Sequence, residues 1–415
     1  MKNQKDIIVI GGGIIGVSAA YYLAKQGRSV TLIEKDDIGA GSSYGNAGLI
    51  ANGFAIPMAA PGVPSQGLKM MLDSTSPFYI KPRFDIELIR WLWSFRGACN
   101  EKQMLRSVPI LLSLGQGSFD LFDELFADED VDFGYERKGR LILFTSEEDF
   151  EASSSDVALI RQFGVEASLL DGAGVRRIEP NVLPAVTHGI YCDTYAHLSP
   201  GDFTQEMVRL AENQGVEFKT GASVTGFETS GQQISSVVTT DGTFTANQVV
   251  LAAGAWSPQI VQSLKIRLPI QPAKGYSLTY KRPPASPGLP LSLSERKIAV
   301  TPMGEMLRFT STLELAGFDP SINQGRLETI RRSVREYLPG MEELEEEVAW
   351  FGYRPATPDD LPIIGRSEMY GNLTLATGHG TLGVTHGLIT GKLVSQIIEG
   401  KKTSIDITPF SAQRF

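Results

Sequence analysis

The sequence has very few residues of the kinds that build disulfide frameworks and metal sites. Its 415 residues include two cysteines, Cys99 and Cys192, and four histidines. The cysteines are far apart and show neither paired spacing nor a metal-ligand pattern. We therefore expect no metal site and no disulfide, and a reducing, cytoplasmic location.

Basic tracts and long apolar runs are also missing. The net charge is −9 with no basic cluster, which argues against a nucleic-acid partner. The uncharged stretch 369–391 is interrupted by glycines and two histidines, so no transmembrane helix is expected. One stretch, 86–96, is rich in aromatic residues and flanked by arginines. The pattern favours a helix packed in the second domain, and the alternative is peripheral contact with a membrane surface such as the inner membrane.

What the sequence does contain is an ordinary globular composition, with 42% hydrophobic and 20% charged residues. The length is sufficient for two or three domains. At the N-terminus a β-branched run at 5–10 predicts a buried strand. A glycine-rich turn at 11–16 and a helical segment at 17–27 follow, and a second strand at 29–33 ends on Glu34.

The glycines and the acidic residue of this strand–turn–helix–strand unit each have a physical role in dinucleotide binding. Gly11 allows a tight turn, Gly13 lets the backbone approach a pyrophosphate, and Gly16 lets the helix pack on the strand. Glu34 is placed to accept hydrogen bonds from ribose hydroxyls, and its charge disfavours a 2′-phosphate. The phosphates are expected at the positive end of the helix. The alternative is a structural βαβ unit without a ligand.

Three further segments indicate that the nucleotide domain is discontinuous. Residues 38–68 contain no charged side chain and are rich in Gly, Ala, Ser and Pro, which predicts the neutral wall of a cofactor pocket or a surface loop. The apolar strand at 248–256 ends near Gly254, beside the first strand. A second glycine-rich turn at 378–385 leads into the last helix, whose N-terminus can stabilise negative charge.

Together these motifs resemble the FAD-dependent amine and amino-acid oxidoreductases of the D-amino acid oxidase superfamily. The resemblance rests on the ordered set Gly11-x-Gly13-x-x-Gly16, the segment 252–256, Tyr353-Arg354-Pro355-x-Thr357-Pro358-Asp359 and the segment 377–380. Within the superfamily, the segments 43–48, 274–279 and 378–383 are most similar to the bacterial D-amino acid dehydrogenase (small subunit type).

The resemblance implies an α/β fold with a discontinuous Rossmann-like FAD-binding domain and an α+β substrate domain built on a large, mainly antiparallel sheet. The expected FAD-binding domain comprises residues 1–85, 197–257 and 349–415. The expected substrate-binding domain comprises residues 86–196 and 258–348. No cysteine lies in the C-terminal half, where some relatives attach the flavin, so noncovalent FAD is expected.

The cofactor-binding residues expected from the glycine turns and the resemblance fall into five groups. Ser42 and Ser43 would meet the pyrophosphate, and the last group would face the flavin. The full set is Gly11, Gly13, Ile14, Ile15, Gly16; Glu34, Lys35; Ser42, Ser43, Asn46, Ala47, Gly48, Leu49; Val224, Gly254; and Gly380, Thr381, Leu382, Gly383, Val384.

Amine oxidation by a flavin depends mainly on orientation and electrostatics. Arg354 is the first candidate to bind the substrate carboxylate, because guanidinium binds carboxylate through two parallel hydrogen bonds; the alternative is a buried structural arginine. Arg308 is the second candidate and equally fits an ordinary strand residue. Tyr276 is a candidate carboxylate donor and His379 a candidate neighbour of the flavin or amine, and each equally fits a structural role. The other three histidines are expected to be structural.

The expected activity is dehydrogenation of D-amino acids, with D-proline or hydroxy-D-proline as a subset, by hydride transfer from the α-carbon to flavin N5. Electrons would pass to a quinone or another acceptor. An oxidase of glycine or sarcosine that forms peroxide is the runner-up. Met303 follows Pro302 where glycine oxidase has an arginine, which favours a more apolar wall. An NAD-dependent dehydrogenase and a flavin subunit that needs partner chains also stay open.

Overall fold

The computed structural model describes residues 5–53, 56–63, 67, 76–342 and 344–415. The helices are α1 (Ile14–Lys25), α2 (Ile86–Ala98), α3 (Glu101–Asp128), α4 (Glu147–Arg161), α5 (Gly172–Ile178), α6 (Pro200–Asn213), α7 (Ser257–Ile260), α8 (Gln324–Val334) and α9 (Gly383–Ile398). The strands of the first sheet are β1 (Lys5–Ile10), β2 (Val30–Ile33), β9 (Glu217–Lys219), β10 (Val224–Ser230), β11 (Gln233–Thr239), β12 (Gly242–Leu251), β18 (Ile363–Arg366) and β19 (Leu373–Thr377). Those of the second are β4 (Phe78–Ile80), β5 (Arg140–Phe144), β6 (Ser168–Asp171), β7 (His188–Cys192), β13 (Gln271–Lys281), β14 (Leu291–Leu293), β15 (Ile298–Met303), β16 (Met306–Leu315) and β17 (Glu346–Ala356). A short pair joins β3 (Leu49–Ala51) and β8 (Tyr195–His197).

The central strands of the first sheet are parallel, and both faces of the sheet are covered by other elements. Strand β1 pairs in parallel with β2 and β12, and β12 pairs in parallel with β19. Ile7 and Val9 pack in the core formed with α1, α6 and α9, whereas Ile8 and Ile10 pack in the core on the opposite face. Burial on both faces explains why β1 is a continuous apolar run rather than an alternating one.

The second sheet is mainly antiparallel, with the order β17–β13–β16–β15–β14–β5–β7–β6 and with β4 beside β16. Its own core is formed with α8 and includes Leu278, Phe309 and Ile330. The two sheets confirm the predicted fold class, a Rossmann-like α/β domain assembled from separated segments plus an α+β domain on a large antiparallel sheet.

Two strands belong to a different sheet from the one that the expected domain boundaries imply. Strand β4, at Phe78–Ile80, and strand β17, which begins at Glu346, both lie in the second sheet. Strand β10 pairs with β11, and β11 pairs with β12, so the three strands form an antiparallel meander. Of the neutral stretch 38–68, residues 54–55, 64–66 and 68 lie outside the described residues.

Helix α2 lies at the surface and packs with its inner side on the second sheet. Its inner side chains Leu88 and Trp91 are buried, and the Trp91 indole Nε1 donates a hydrogen bond to the Ala356 carbonyl oxygen at 2.9 Å. The helix starts at Asp85, whose side chain accepts from the Leu88 N–H. Across the described residues, every helix is too short or too polar to span a bilayer.

Candidate dinucleotide and substrate site

A cleft of about 650 Å³ opens where the parallel strands of the first sheet end. The carboxyl ends of β1, β2, β12 and β19 all meet at this edge, the usual place for a ligand in an open α/β sheet. Six separate parts of the chain line it, at residues 10–15, 33–46, 222–225, 252–263, 353–355 and 376–384, with some positions within those ranges pointing elsewhere.

The first glycine turn admits no side chain at two of its positions. Gly11 has φ +110°, and a Cβ there would lie 2.5 Å from the Ala252 carbonyl oxygen. A Cβ on Gly16 would lie 1.9 Å from the Gly11 carbonyl oxygen. The turn therefore packs against β12 and α1 as tightly as the sequence predicted, and it leaves bare backbone facing the cleft.

The N-terminus of α1 is open for an anion. Gly13 is the N-cap and supplies no side-chain cap, and the Ser43 hydroxyl accepts a hydrogen bond from the Ile14 N–H at 2.9 Å. A Cβ on Gly13 would lie 3.2 Å from that same hydroxyl. The first-turn amides beyond Ile14 and the helix dipole favour negative charge here, so the position suits a phosphate.

Glu34 is held rigidly at the end of β2. Its Oε2 accepts from the Gly12 N–H at 2.7 Å and its Oε1 accepts from the Asp36 N–H at 3.0 Å. Each carboxylate oxygen keeps a further lone pair, so the group can still accept from a diol. Beside it, the Lys35 ammonium lies 4.5 Å from the centre of the Trp256 ring.

The second glycine turn brings the N-terminus of α9 into the same cleft. Gly378 and Gly380 both have positive φ, at +77° and +52°, and α9 begins at Gly383. Between them, the His379 ring Nε2 lies 3.0 Å from the Thr390 hydroxyl. Burial lowers the pKa of His379 to about 3, so the ring is neutral at physiological pH. It lines the cleft as a fixed neutral group.

Arg354 supplies positive charge to the cleft. Its Nη1 donates to the Thr312 carbonyl oxygen at 2.8 Å, and the guanidinium lies over Gly275, where a Cβ would be 2.2 Å from Nη1. Within the described part of the chain, no carboxylate forms an ion pair with it. Burial lowers the pKa of Arg354 to about 10, which still leaves it charged at neutral pH. A half-buried cation with unused donors is suited to a carboxylate ligand.

Arg308 and Tyr276 are not among the residues that line this cleft. The Arg308 Nη1 donates to the carbonyl oxygens of Tyr44 and Asn46, at 3.0 and 3.1 Å, so this arginine holds the loop that carries Asn46. The Tyr276 hydroxyl donates to Glu314 at 2.8 Å, and its ring is fully buried. Both side chains have protein partners, and their expected roles toward the substrate stay predictions; Arg354 is the candidate arginine that lines the cleft.

Most of the expected cofactor residues line the cleft. Those that do are Gly11, Gly13, Ile14, Ile15, Glu34, Lys35, Ser42, Ser43, Asn46, Val224, Gly254, Gly380, Thr381, Gly383 and Val384. Those that do not are Gly16, Ala47, Gly48, Leu49 and Leu382. Gly16 acts instead by close helix packing, and Gly48 lies against Leu198 and Met303, where a Cβ would be 2.7 Å from the Met303 methyl carbon.

The sequence interpretation missed several lining residues. Trp256 and Tyr353 face the cleft and pack edge to face, with their ring centroids 5.8 Å apart. Gln259 and Ser263 line it beyond the end of β12. Trp256 and Tyr353 stood within motifs already singled out, whereas the last two lie past those motifs and carried no local signal.

In the described ranges, no group of three or more His, Cys, Asp or Glu side chains is arranged to hold an ion. Cys192 is buried in the second sheet and Cys99 is half-buried at the end of α2, and neither lines the cleft.

Comparison with known proteins gives one consistent result. The model of the FAD dependent oxidoreductase family (DAO) matches residues 6–397. D-amino acid dehydrogenase of Granulibacter bethesdensis is 33% identical over 99% of both chains. The D-amino acid dehydrogenase of Cereibacter sphaeroides is 34% identical over 99% of this chain and 95% of its own. Glycine oxidase of Geobacillus kaustophilus has a similar fold, with TM-score 0.80 and 24% identity over 99% of each chain.

Proposed function

This chain belongs to the DAO family of FAD-dependent oxidoreductases, and from that premise we propose that it is a D-amino acid dehydrogenase. The proposed substrates are D-amino acids, with D-proline-like imino acids as a subset. Support comes from two relatives of nearly equal length that carry that name, at 33% and 34% identity. The single observation that carries the substrate class is the unpaired guanidinium of Arg354 in the cleft.

The cleft fits FAD without a covalent link. The glycine turn leaves room for a pyrophosphate beside Ser43, and Glu34 stands where ribose hydroxyls need an acceptor. The uncharged wall of the cleft, at residues 39–43 and 46, suits the uncharged flavin ring. When bound, FAD supplies the acceptor for the hydride that leaves the substrate α-carbon, and the product is an imine that water hydrolyses.

Arg354 would bind the substrate carboxylate and thereby fix the orientation of the α-carbon. Its anchor on the Thr312 carbonyl oxygen uses one donor of Nη1, so the remaining donors are available for two parallel bonds to a carboxylate. Orientation of this kind provides a large share of the barrier reduction in reactions that need little other help from the protein.

The N-terminus of α9 would balance negative charge. Gly380, Thr381 and Gly383 line the cleft at the start of this 16-residue helix. Uncapped amides at a helix N-terminus stabilise an anion, so this turn suits the end of the cleft where negative charge develops during substrate oxidation. Because burial lowers the pKa of His379 to about 3, this ring stays neutral, and its charge does not change with pH near neutrality.

A quinone or another carrier is the proposed electron acceptor, in place of oxygen. A lipid-soluble acceptor would require the enzyme to work at a membrane surface by peripheral contact. The alternative activity, an amino-acid oxidase that releases hydrogen peroxide, shares every residue named above and differs in the fate of the electrons.

The test is an anaerobic titration of the purified holoenzyme, following flavin absorbance, with a panel of D- and L-amino acids, both prolines, glycine and sarcosine. We expect bleaching by D-amino acids, slow recovery in air and fast recovery with a soluble quinone. Bleaching by glycine or sarcosine with rapid recovery and peroxide release would establish the oxidase instead. Bleaching by L-amino acids alone would overturn the stereochemical assignment.

A further inference from the structure

The outer surface of α2 is unusually apolar for a solvent-facing helix. Among the described residues, the four most exposed large hydrophobic side chains all lie within one stretch of ten residues. Phe84 is 92% exposed, Trp93 75%, Ile89 55% and Ile86 54%, whereas no other exceeds 44%. Single exposed hydrophobic residues are ordinary, but such a cluster marks an interaction surface. We call these four side chains the α2 apolar face.

The helical period places this cluster on one side. With a rotation of about 100° per residue, Ile89, Trp93 and Ile86 fall within an arc of about 60°. Leu88 and Trp91 occupy the opposite side and are buried against the second sheet. Helix α2 therefore has two apolar stripes, and only the inner stripe has a partner among the described residues.

Charge at the borders of the face indicates what covers it. By the same rotation, Arg90 lies about 40° beyond Ile86 and Arg96 about 20° beyond Ile89, one on each border. The carboxylate of Glu87 falls outside the arc and is paired with Arg90 at 2.7 Å. Residues 81–96 contain four basic and two acidic side chains, in a chain whose net charge is −9.

We propose that the α2 apolar face, with Arg90 and Arg96 at its borders, binds an anionic phospholipid surface. Apolar side chains that insert between cationic borders are typical of helices that lie in the plane of a membrane. A symmetric dimer through this face would oppose each arginine border to its own copy, which disfavours a second chain as the occupant.

The face is built into the part of the protein that carries the substrate site. The Trp91 indole on the inner side of α2 donates to the Ala356 carbonyl oxygen, two residues after Arg354 on β17. A stack of Trp91 on Phe95, with centroids 5.1 Å apart, stiffens the same side. The lipid-facing helix and the Arg354 strand thus form one packed unit. The proposal assigns a defined surface to the membrane contact that a membrane-borne electron acceptor would require. Only the biological purpose of this contact rests on the proposed function.

The experiment is sedimentation of the purified holoenzyme with vesicles, without substrate, so that the result does not depend on the amino acid that is oxidised. Vesicles of phosphatidylcholine alone are compared with vesicles that also contain phosphatidylglycerol. We expect binding to the anionic vesicles at low salt and weaker binding at high salt. A brominated lipid should quench part of the tryptophan fluorescence of the wild type, and this quenching should be lost in the F84S/W93S variant, which lacks Trp93.

Two variants and one control locate the contact. F84S/W93S should lower the partition coefficient at least about tenfold, the effect of losing two partly inserted aromatic rings. R90Q/R96Q should remove the preference for anionic lipid and keep weak binding to neutral vesicles. The matched control F126S/L169S removes two exposed side chains, 41% and 42% exposed, from other elements and should bind as the wild type does.

Three outcomes would overturn the proposal. They are no sedimentation of the wild type with anionic vesicles, unchanged binding of F84S/W93S when its flavin content equals that of the wild type, and an equal loss of binding in the control. A concentration-dependent dimer that F84S/W93S abolishes, with no vesicle binding, would assign the face to a second copy of the chain. None of these outcomes would count against the proposed oxidation of D-amino acids, because the vesicle experiment contains no substrate.

Discussion

The Arg354 guanidinium is anchored by the main-chain carbonyl oxygen of Thr312, at 2.8 Å from Nη1. Thr312 has φ +75°, a left-handed conformation that is rare for a β-branched residue. At this point the register between β13 and β16 shifts, so that Gly275 faces both Thr312 and Leu313. The strained bulge thus turns one carbonyl toward the arginine that faces the cleft.

Replacement of Thr312 should reveal this strain. Thr312→Gly and Thr312→Ala both remove the hydroxyl and γ-methyl groups, but only glycine lacks the Cβ that makes positive φ costly. We expect the Gly variant to be more stable than the Ala variant by about 1 kcal/mol, the reverse of the usual order within a strand. Urea unfolding of the two variants measures the difference. An Ala variant equal to or more stable than the Gly variant would contradict the strain.

Gly275→Ala should displace the guanidinium of Arg354. The added Cβ would lie 2.2 Å from Nη1, so the arginine must move. We expect bound flavin to be retained and kcat/KM for D-amino acids to fall roughly 10- to 100-fold, the effect of a displacement of about 1 Å in an orienting group. Gly226→Ala is the matched control, because nothing lies within 4 Å of its Cβ. Equal kcat/KM in the two variants would remove Arg354 from substrate orientation.

Glu34 substitutions should weaken FAD retention in a graded way. Glu34→Gln keeps an acceptor for the Gly12 N–H, whereas Glu34→Ala removes both the acceptor and the charge. Hydrogen bonds to a charged group contribute about 1.5–3 kcal/mol, so we expect flavin content after dialysis to fall from wild type to Gln to Ala. The ratio of flavin to protein absorbance measures it. An Ala variant that stays fully yellow would show that the ribose does not depend on Glu34.

Asp360 should make stability depend on pH. Burial raises the pKa of Asp360 to about 6, and its Oδ2 accepts from the Met58 N–H at 2.9 Å. Because the folded-state pKa exceeds the unfolded value of about 3.9, the folded protein loses stability as pH rises from about 4 to 6. Nearby Asp359, which raises this pKa further, is paired with Arg414.

Asp360→Asn should therefore be more stable than wild type at pH 7.5, and the gain should vanish near pH 4. Asparagine also tolerates the φ of +62° found at this position. Denaturant unfolding at the two pH values measures the gain. A gain that is the same at both pH values would assign the effect to the backbone rather than to the charge.

The parts of the site that follow from the sequence are those set by local spacing. The turn from Gly11 to Gly16 and the acid at Glu34 belong to one βαβ unit, whose geometry follows from the order of its residues. Arg354 belongs to the Tyr353–Asp359 motif that carries the family resemblance, and the structure places it in the cleft.

The parts that did not follow depend on which face of a strand a residue occupies. Side chains alternate between faces, so the single-residue bulge opposite Gly275 changes which side chains of β13 and β16 share a face. Tyr276, next to that bulge, consequently enters the core of the second sheet and donates to Glu314. Arg308 similarly holds the backbone of Tyr44 and Asn46, a partner far away in the sequence that no local pattern indicates.

The most direct measurement compares a substrate with its analogue that lacks the carboxylate. Anaerobic flavin reduction is followed with D-proline and pyrrolidine, and with D-alanine and ethylamine, in the wild type and in Arg354→Met. Arg332→Met, at an exposed arginine, is the control. Loss of a desolvated carboxylate partner costs roughly 2–5 kcal/mol, about 30-fold to several-thousandfold in rate.

We expect the wild type and Arg332→Met to prefer the amino acids strongly. Arg354→Met should keep its flavin but lose most of that preference, with little change toward the simple amines. Wild-type discrimination retained in Arg354→Met would contradict the proposal that this arginine holds the substrate carboxylate beside the flavin.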